Sequence, residues 1–358
     1  MKSIFKLACW MAFLFAVASV SGAREIVYVS ESGDNRIAIF SLDGETGELA
    51  RIGALDLPGS PGSLDTRADH SRLYASVRST KEFASIAVDR ETGLLSDAKF
   101  APAGSNSTYV HVDKTGNWLL SASYSDGVVS VSRIVDGVVK EGPVSMMETG
   151  LKAHCIRTDS ANRFAFVPHV MDLNKVEQIR FDAATGNIAS NDPPHASGAE
   201  GAGPRHLDFH PNGRWVYLVN EQGQSVSRCD YDAEKGTLAL RETVTTTPPD
   251  WDKSKGSCAD IHVSADGRFV YASNRGHDSL AVFAISPDTG ELKPLGQTPT
   301  EKTPRSFALV AGDHFVVSAG QGSDTLIVYR RDAETGALTP LKTYPCGKSP
   351  AWVMGVTF

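Results

Sequence analysis

The stretch GAGPRHLDFHPNGRWVYLVNEQGQSVSRCDYDAEKGTL, residues 201–238, decides the fold. Its segments PRHLDF, WVYLVN and SVSRCDYD alternate apolar with polar residues, and Gly, Asn and Asp separate them. That is the signature of short strands joined by tight turns. The first segment opens at Arg205 and the second runs out at Glu221, so one hairpin carries opposite charges at its open end.

The pattern recurs along the chain. REIVYVSESGDNRIAIFSLDGETGEL begins at Arg24, SRLYASVRSTKEFASIAVDRETGLL at Ser71, and GNWLLSASYSDGVVSVSRIVDG at Gly116. NRFAFVPHVMDLNKVEQIRFDAATGNI follows at Asn162. After the copy at Gly213 come GRFVYASNRGHDSLAVFAISPDTGEL at Gly267 and DHFVVSAGQGSDTLIVYRRDAETGAL at Asp313. The equivalent anchors are Tyr28, Tyr74, Leu120, Phe166, Tyr217, Tyr271 and Val317, spaced by 46, 46, 46, 51, 54 and 46 residues. A repeat of this length built from short strands predicts an all-β, seven-bladed β-propeller of about four strands per blade. A linear β-solenoid is disfavoured, because its rungs have shorter periods.

A short strand precedes each anchor from the second copy onward, in PGSLDTR, STYVHVD, AHCIRTD, PRHLDFH, ADIHVS and PRSFALV. The first copy lacks one, and the C-terminal PAWVMGVTF has no repeat after it. The C-terminal strand is therefore expected to complete the first, N-terminal blade, which leaves no open edge between the chain ends. Six copies also carry a turn with Thr-Gly or Lys-Gly behind an acidic or polar residue. These read as hairpin turns in which Gly supplies positive φ and the Asp binds nearby amides.

The chain has 358 residues, 32 Gly and 18 Pro, and a net charge of −7. No basic run occurs, which argues against a nucleic-acid partner. Lys2 and Lys6, the apolar run Leu7 to Val20 and the small residues Ser21-Gly22-Ala23 together form a secretory leader. Residues 1–23 are expected to be removed after Ala23. Residues 24–358 would then form one exported propeller domain, periplasmic or secreted, with no stable membrane insertion. Cys155, Cys229, Cys258 and Cys346 lie outside the leader and show no CxxC or Cys/His cluster, so zinc is not expected. Buried thiols are the simpler reading.

In a propeller the first strand of each blade lines the central channel, and the second runs antiparallel beside it. Strand starts at Thr108, His154, Arg205 and Arg305 thus share one face with strand ends at Arg78, Tyr124, Glu221 and Arg275. The opposite charges of the 201–221 hairpin belong to a ring of charges at one channel mouth. Four Arg around one mouth point to a site for an anion or a carbonyl. His206 and Asp260 are one position further along their strands, where alternation turns a side chain to the other face.

At these residues the sequence resembles the bacterial β-propeller 6-phosphogluconolactonase family, with its fungal carboxymuconate-lactonising relatives. GAGPRHLDFHPNGRWVYLVNE, ADIHVSADGRFVYASNRG, SASYSDGVVSVSRI and PRSFALVAGDHFVVSAGQ carry the likeness. The resemblance implies lactone hydrolysis without a required cofactor, and catalytic His154, Arg205, Glu221 and Arg275. Arg78, Tyr124, His206, Asp260 and Arg305 are expected to bind a small sugar lactone. Arg205 and Arg275 would polarise the carbonyl, and either Glu221 or His154 would take the proton of the attacking water. The leader favours unphosphorylated glucono-1,5-lactone over its 6-phospho form. A muconate-type lactone cyclase and a non-catalytic binding or scaffold propeller are the alternatives.

Overall fold

The computed structural model describes residues 24–358, and the expected leader, residues 1–23, lies outside them. Seven antiparallel sheets of four strands each follow in sequence order. The fifth is representative, with strands Pro204–Phe209, Trp215–Asn220, Ser225–Asp232 and Thr237–Thr245. The described residues contain no α-helix, only three 3₁₀ turns of three residues each. The molecule is the seven-bladed propeller that the 46- to 54-residue period predicts.

Period-2 alternation explains why the blades hold together. Trp215, Tyr217 and Val219 pack toward the sixth blade, while Val216 and Leu218 pack toward the fourth. Each central strand is therefore apolar on both faces, and WVYLVN is buried throughout. Seven hydrophobic clusters result, one between each pair of neighbouring blades. Hydrogen bonds fix the spacing of the wedges. The hydroxyls of Tyr28, Tyr74, Tyr217 and Tyr271 donate to the carbonyls of Gly93, Gly137, Gly290 and Gly336 in the following blade, at 2.7–3.1 Å. Near the channel, Asp65, Asp208 and Asp260 accept from the amides of Val112, Val263 and Phe307 one blade on. The Asp-x-x-Thr-Gly turns behave as expected. Asp43 Oδ1 accepts from the amides of Glu45 and Thr46, and Gly47 has φ +78°.

The ring closes through strand Pro350–Thr357, which pairs antiparallel with Glu25–Glu31. Glu31, fully buried, secures the joint. Arg51 donates to it at 2.8 and 2.9 Å, the Gly347 amide at 2.6 Å, and Arg36 and the Cys346 thiol also reach it. Burial works against the charge of Glu31, but Arg51 and Arg36 overcome it and hold the carboxyl down to about 2. All four described cysteines carry free thiols, three of them buried.

The fourth blade departs from the expected pattern. Its first strand shrinks to Arg157–Thr158, and Ala153 makes only an isolated bridge to His169. Pro168 sits in the facing strand and has no N–H to continue the ladder. It still accepts at its carbonyl, from the His154 amide at 3.0 Å. His154 is consequently held on irregular backbone rather than in a strand.

The closing joint yields a stability prediction. Because the folded-state pKa of Glu31 is depressed from 4.5, its stabilisation is complete above about pH 5 and declines as the carboxylate is protonated toward pH 2. Glu31→Gln should lower unfolding free energy at pH 7 by about 2 kcal/mol. It should also flatten the acid limb of a urea-unfolding series taken against pH. An unchanged acid limb would remove Glu31 from this role.

Candidate active site in the channel mouth

Hydrogen-bond register sets which side chains reach the channel. Pro204 pairs with Asn220, so Arg205 and Glu221 flank the open end of their hairpin. A β-bulge interrupts the register between Pro204 and His206. A bulge places two residues of one strand against one of its partner and re-aims a side chain. Arg205 and His206 therefore both face the channel, which strict alternation forbids. Shifts recur at the starts of five other first strands, between Pro61 and Leu64, Ser107 and Tyr109, Cys258 and Ile261, Pro304 and Ser306, and Pro350 and Trp352.

These strand starts enclose a cavity of about 260 Å³. Arg78, His154, Arg205, His206 and Arg305 line it, with Trp352 at its base. Ser32, Ser60, Ser63, Thr108 and Gln321 supply neutral polar groups around them. Ser60 and Ser63 were not anticipated, because a lone Ser in a strand or turn carries no sequence signal of its own.

The four arginines fall into two pairs. Glu221 holds Arg205 and Arg275: its Oε2 is 3.0 Å from Arg205 Nε and its Oε1 is 3.2 Å from Arg275 Nη2. The Arg205 Nε–H is not aimed at the carboxylate, so that contact is an ion pair rather than a hydrogen bond. Arg205 Nη1 also donates to the Ala259 carbonyl, and Arg275 Nη2 to that of Cys258 at 2.7 Å. Arg78 and Arg305 have no carboxylate partner among the described residues. Arg78 makes only a long contact, 3.4 Å, to Asn106 Oδ1. Burial, then the charges of Arg275 and Arg78, pull Arg305 down to about 10. Burial, then Arg305 and Arg275, pull Arg205 down to about 9. Even so, both remain guanidinium ions near neutral pH. The cavity is a cationic recess in which two guanidiniums have no carboxylate partner among the described residues.

His154 stands among them. Burial first, then Arg205, His206 and Arg305, push its imidazole well below the usual 6.5. It is thus neutral at pH 7 and able to accept a proton. Its Nδ1 is buried with no hydrogen-bond partner among the described residues. The ring meets His206 edge-on at 5.1 Å and Tyr124 at 5.7 Å.

Two expected ligand-binding residues are placed differently. Asp260 does not line the cavity. Its carboxylate lies beneath, where His206 Nδ1 at 2.8 Å and the Ile261 and Phe307 amides occupy it. Tyr124 stays at the rim, with the Lys152 ammonium 4.6 Å above its ring and its hydroxyl 3.6 Å from Met171 Sδ. Glu221 and Arg275 border the cavity through Arg205 rather than line it. Below them Trp352, Tyr109 and His206 pack ring to ring at 5.3–5.9 Å and divide the channel. Trp352 also borders a second cavity of about 530 Å³ at the other end, where His111, Arg157, Asp208 and His262 lie. Among the described residues no group of three or more His, Cys, Asp or Glu is placed to hold a metal ion.

Known proteins share this architecture. The sequence model of the family described as "Lactonase, 7-bladed beta-propeller" matches residues 27–355. The 6-phosphogluconolactonase of Pectobacterium carotovorum is 35% identical over 287 residues, 79% of this chain and 84% of that protein. The 6-phosphogluconolactonase of Serratia proteamaculans is 32% identical over 284 residues, with the same coverage. Among solved structures, the periplasmic gluconolactonase of Pseudomonas aeruginosa superposes with a TM-score of 0.85 at 25% identity, over 94% of this chain and 99% of that one. Seven wedged sheets, ring closure by the C-terminal strand, and a family match from the first strand of the ring to the last lead to one statement: this chain belongs to the seven-bladed β-propeller lactonase family.

Proposed function

We propose that the chain hydrolyses a sugar 1,5-lactone, with glucono-1,5-lactone as the preferred substrate, in the compartment to which its leader would export it. The observation that carries the reading is the neutral, buried His154 set beside uncommitted guanidiniums in one small cavity. Ligand pockets usually span about 300–1,000 Å³. A recess of about 260 Å³ suits a single sugar-sized ring. A scaffold propeller has no need of half-buried cations without a carboxylate partner.

The chemistry follows from donors and acceptors. Arginine only donates, so Arg205 and Arg305 are suited to the lactone carbonyl and to the oxyanion formed on it. His154 takes a proton from water as the oxygen adds to the carbonyl carbon. The ring C–O bond then breaks, and the His154 imidazolium returns its proton to the departing ring oxygen. The product is the open hydroxy acid, which ionises. Glu221, already ion-paired to two guanidiniums, is better suited to orient them than to act as the base.

The leader sequence and the likeness to a periplasmic gluconolactonase support an unphosphorylated substrate. One observation favours the 6-phospho form instead: Arg78 and Arg305, both short of anionic partners, could clamp a phosphate. A pH-stat assay on glucono-1,5-lactone and its 6-phospho form, corrected for spontaneous hydrolysis, decides between them. The proposal expects the higher kcat/KM on the unphosphorylated ring. It also expects Arg305→Ala to slow that ring on the order of 10²–10³-fold. Under the phosphate reading, Arg305→Ala would instead spare the plain lactone and selectively lose the phosphorylated one.

The base assignment makes its own prediction. A base works when deprotonated, and His154 has its pKa depressed, so activity should not fall as pH drops through 6.5. The kcat/KM profile should stay flat between about pH 6 and 8 and fall only on the more acid side. His154→Ala should cost on the order of 10²–10⁴-fold throughout. Retention of the parent rate by folded His154→Ala protein would exclude His154 as the base.

A further inference from the structure

We propose that the cavity of about 530 Å³ at the opposite end of the channel is a second ligand site, which takes a small organic carboxylate with an apolar body. The repeat builds this cavity. In each blade the residue that pairs across the ladder with the anchor of that repeat reaches the channel. Asp65 pairs with Tyr74, His111 with Leu120, Arg157 with Phe166, Asp208 with Tyr217 and His262 with Tyr271. Ala308 and Met354, the partners of Val317 and Tyr28, complete the circle. Each of these side chains lines the cavity. Five consecutive blades thus form a polar arc. The two blades on either side of the closing joint form an apolar one, which Leu309 and Val353 extend.

The polar arc has its acceptors engaged and several donors free. Asp65 meets His111 Nδ1 at 3.0 Å and accepts from the Val112 and Thr66 amides at 2.8 Å. Asp208 accepts from Arg157 Nη1 at 2.7 Å, the Val263 amide at 2.9 Å and the Phe209 amide at 3.0 Å. Asp113 is taken up by the amides of its own turn and by Asn162 Nδ2. The cations are not so committed. Arg157 uses only Nη1, which also reaches the Leu207 carbonyl at 3.3 Å; its Nε and Nη2 have no partner among the described residues. Lys114 Nζ has none either, although its backbone amide is bound by Asn162. Burial, then the charge of Arg157, pull the Lys114 ammonium below its usual value, which marks the two cations as neighbours. His262 turns Nε2 toward Asp260 Oδ2 at 3.5 Å, and its Nδ1 has no partner among the described residues. Burial works against its charge, but Asp260 outweighs it and raises the imidazole above 6.5.

Donors left over where acceptors are engaged call for a ligand that supplies acceptors. A carboxylate does only that, and its bonds to a guanidinium or an ammonium are strengthened by charge. The apolar arc settles the other end of the ligand. The side chains of Ala308, Leu309, Val353 and Met354 offer no hydrogen bond, so a body polar on every side would lose its water there without compensation. The volume falls within the usual range of ligand pockets, about 300–1,000 Å³. Trp352, Tyr109 and His206 stand between this cavity and the recess, so the two ends are separate sites. The assignment goes beyond the lactonase reading and does not depend on it.

Benzoate is the probe, and histidine rings at the two ends of the channel report where it binds. Titrated into the protein and followed by ¹⁵N-imidazole NMR, benzoate should shift the His262 and His111 signals saturably, with a Kd below about 10 mM. Benzyl alcohol, which keeps the ring and lacks the charge, should bind at least about tenfold more weakly. Acetate, which keeps the charge and lacks the body, should also bind at least about tenfold more weakly. Lys114→Ala and Arg157→Gln should each weaken benzoate about tenfold. Thermal melts establish that the variants are folded, and if Arg157→Gln is not, the exposed Lys114→Ala decides. Shifts confined to His154 and His206 would overturn the site, and so would no shift at all. Equal binding of benzyl alcohol or of acetate would overturn the ligand class. Undiminished affinity in folded Lys114→Ala would remove the cationic donors from the site. The lactonase reading is judged separately, by the turnover assays above.

Discussion

Everything in this molecule depends on sheets that cannot stand alone. Each blade is apolar on both faces, because its inner and middle strands are buried between two neighbours. A row of such sheets would leave two greasy faces at its ends, and curling into a ring removes both. Seven blades therefore form seven equivalent interfaces, and the first and last must meet. The closing pair of strands and the buried Glu31 cluster meet that demand. Tyrosine hydroxyls reaching the turn glycines of the next blade tie the wedges together, and at Gly290 and Gly336 only Gly tolerates both the positive φ and the ring of Trp215 or Phe269 pressed against it.

The ring then imposes an electrostatic problem at its axis. Strand starts from several blades converge on a small space, and this sequence fills that space with guanidiniums. Burial and mutual repulsion pull Arg205 and Arg305 well below their ordinary pKa values. Glu221 relieves two of the four. The remaining positive potential is unmet by the described residues, and such potential favours negative charge on whatever binds beside it. It also disfavours protons, and adds to burial, the larger effect, in keeping His154 neutral.

The repeat, the strand class, the blade number and the closing strand were all legible in the sequence, because each rests on period and alternation. The convergence of Arg78, His154, Arg205, Glu221, Arg275 and Arg305 on one mouth was legible for the same reason. What alternation could not supply was the bulge. A strict period of two sends His206 to the opposite face from Arg205, whereas the slipped register after Pro204 brings both to the channel. Asp260 is set apart from the cavity for a related reason: its carboxylate is engaged by the next blade and by a neighbouring ring. The division of the four arginines into clamped and uncommitted pairs depends on side-chain reach within an ångström, and no spacing encodes it. The loss of strand around His154 was in principle readable, since Pro168 lies in the facing segment. It required knowing which residue faces which.

The floor of the recess is borne by the strand that shuts the ring. Ala351 and Trp352 belong to Pro350–Thr357, and Ser32, which also lines the recess, follows the strand it zips against. The recess consequently lacks part of its wall in any chain whose last strand is unpaired or clipped away, so an intact recess marks a finished ring.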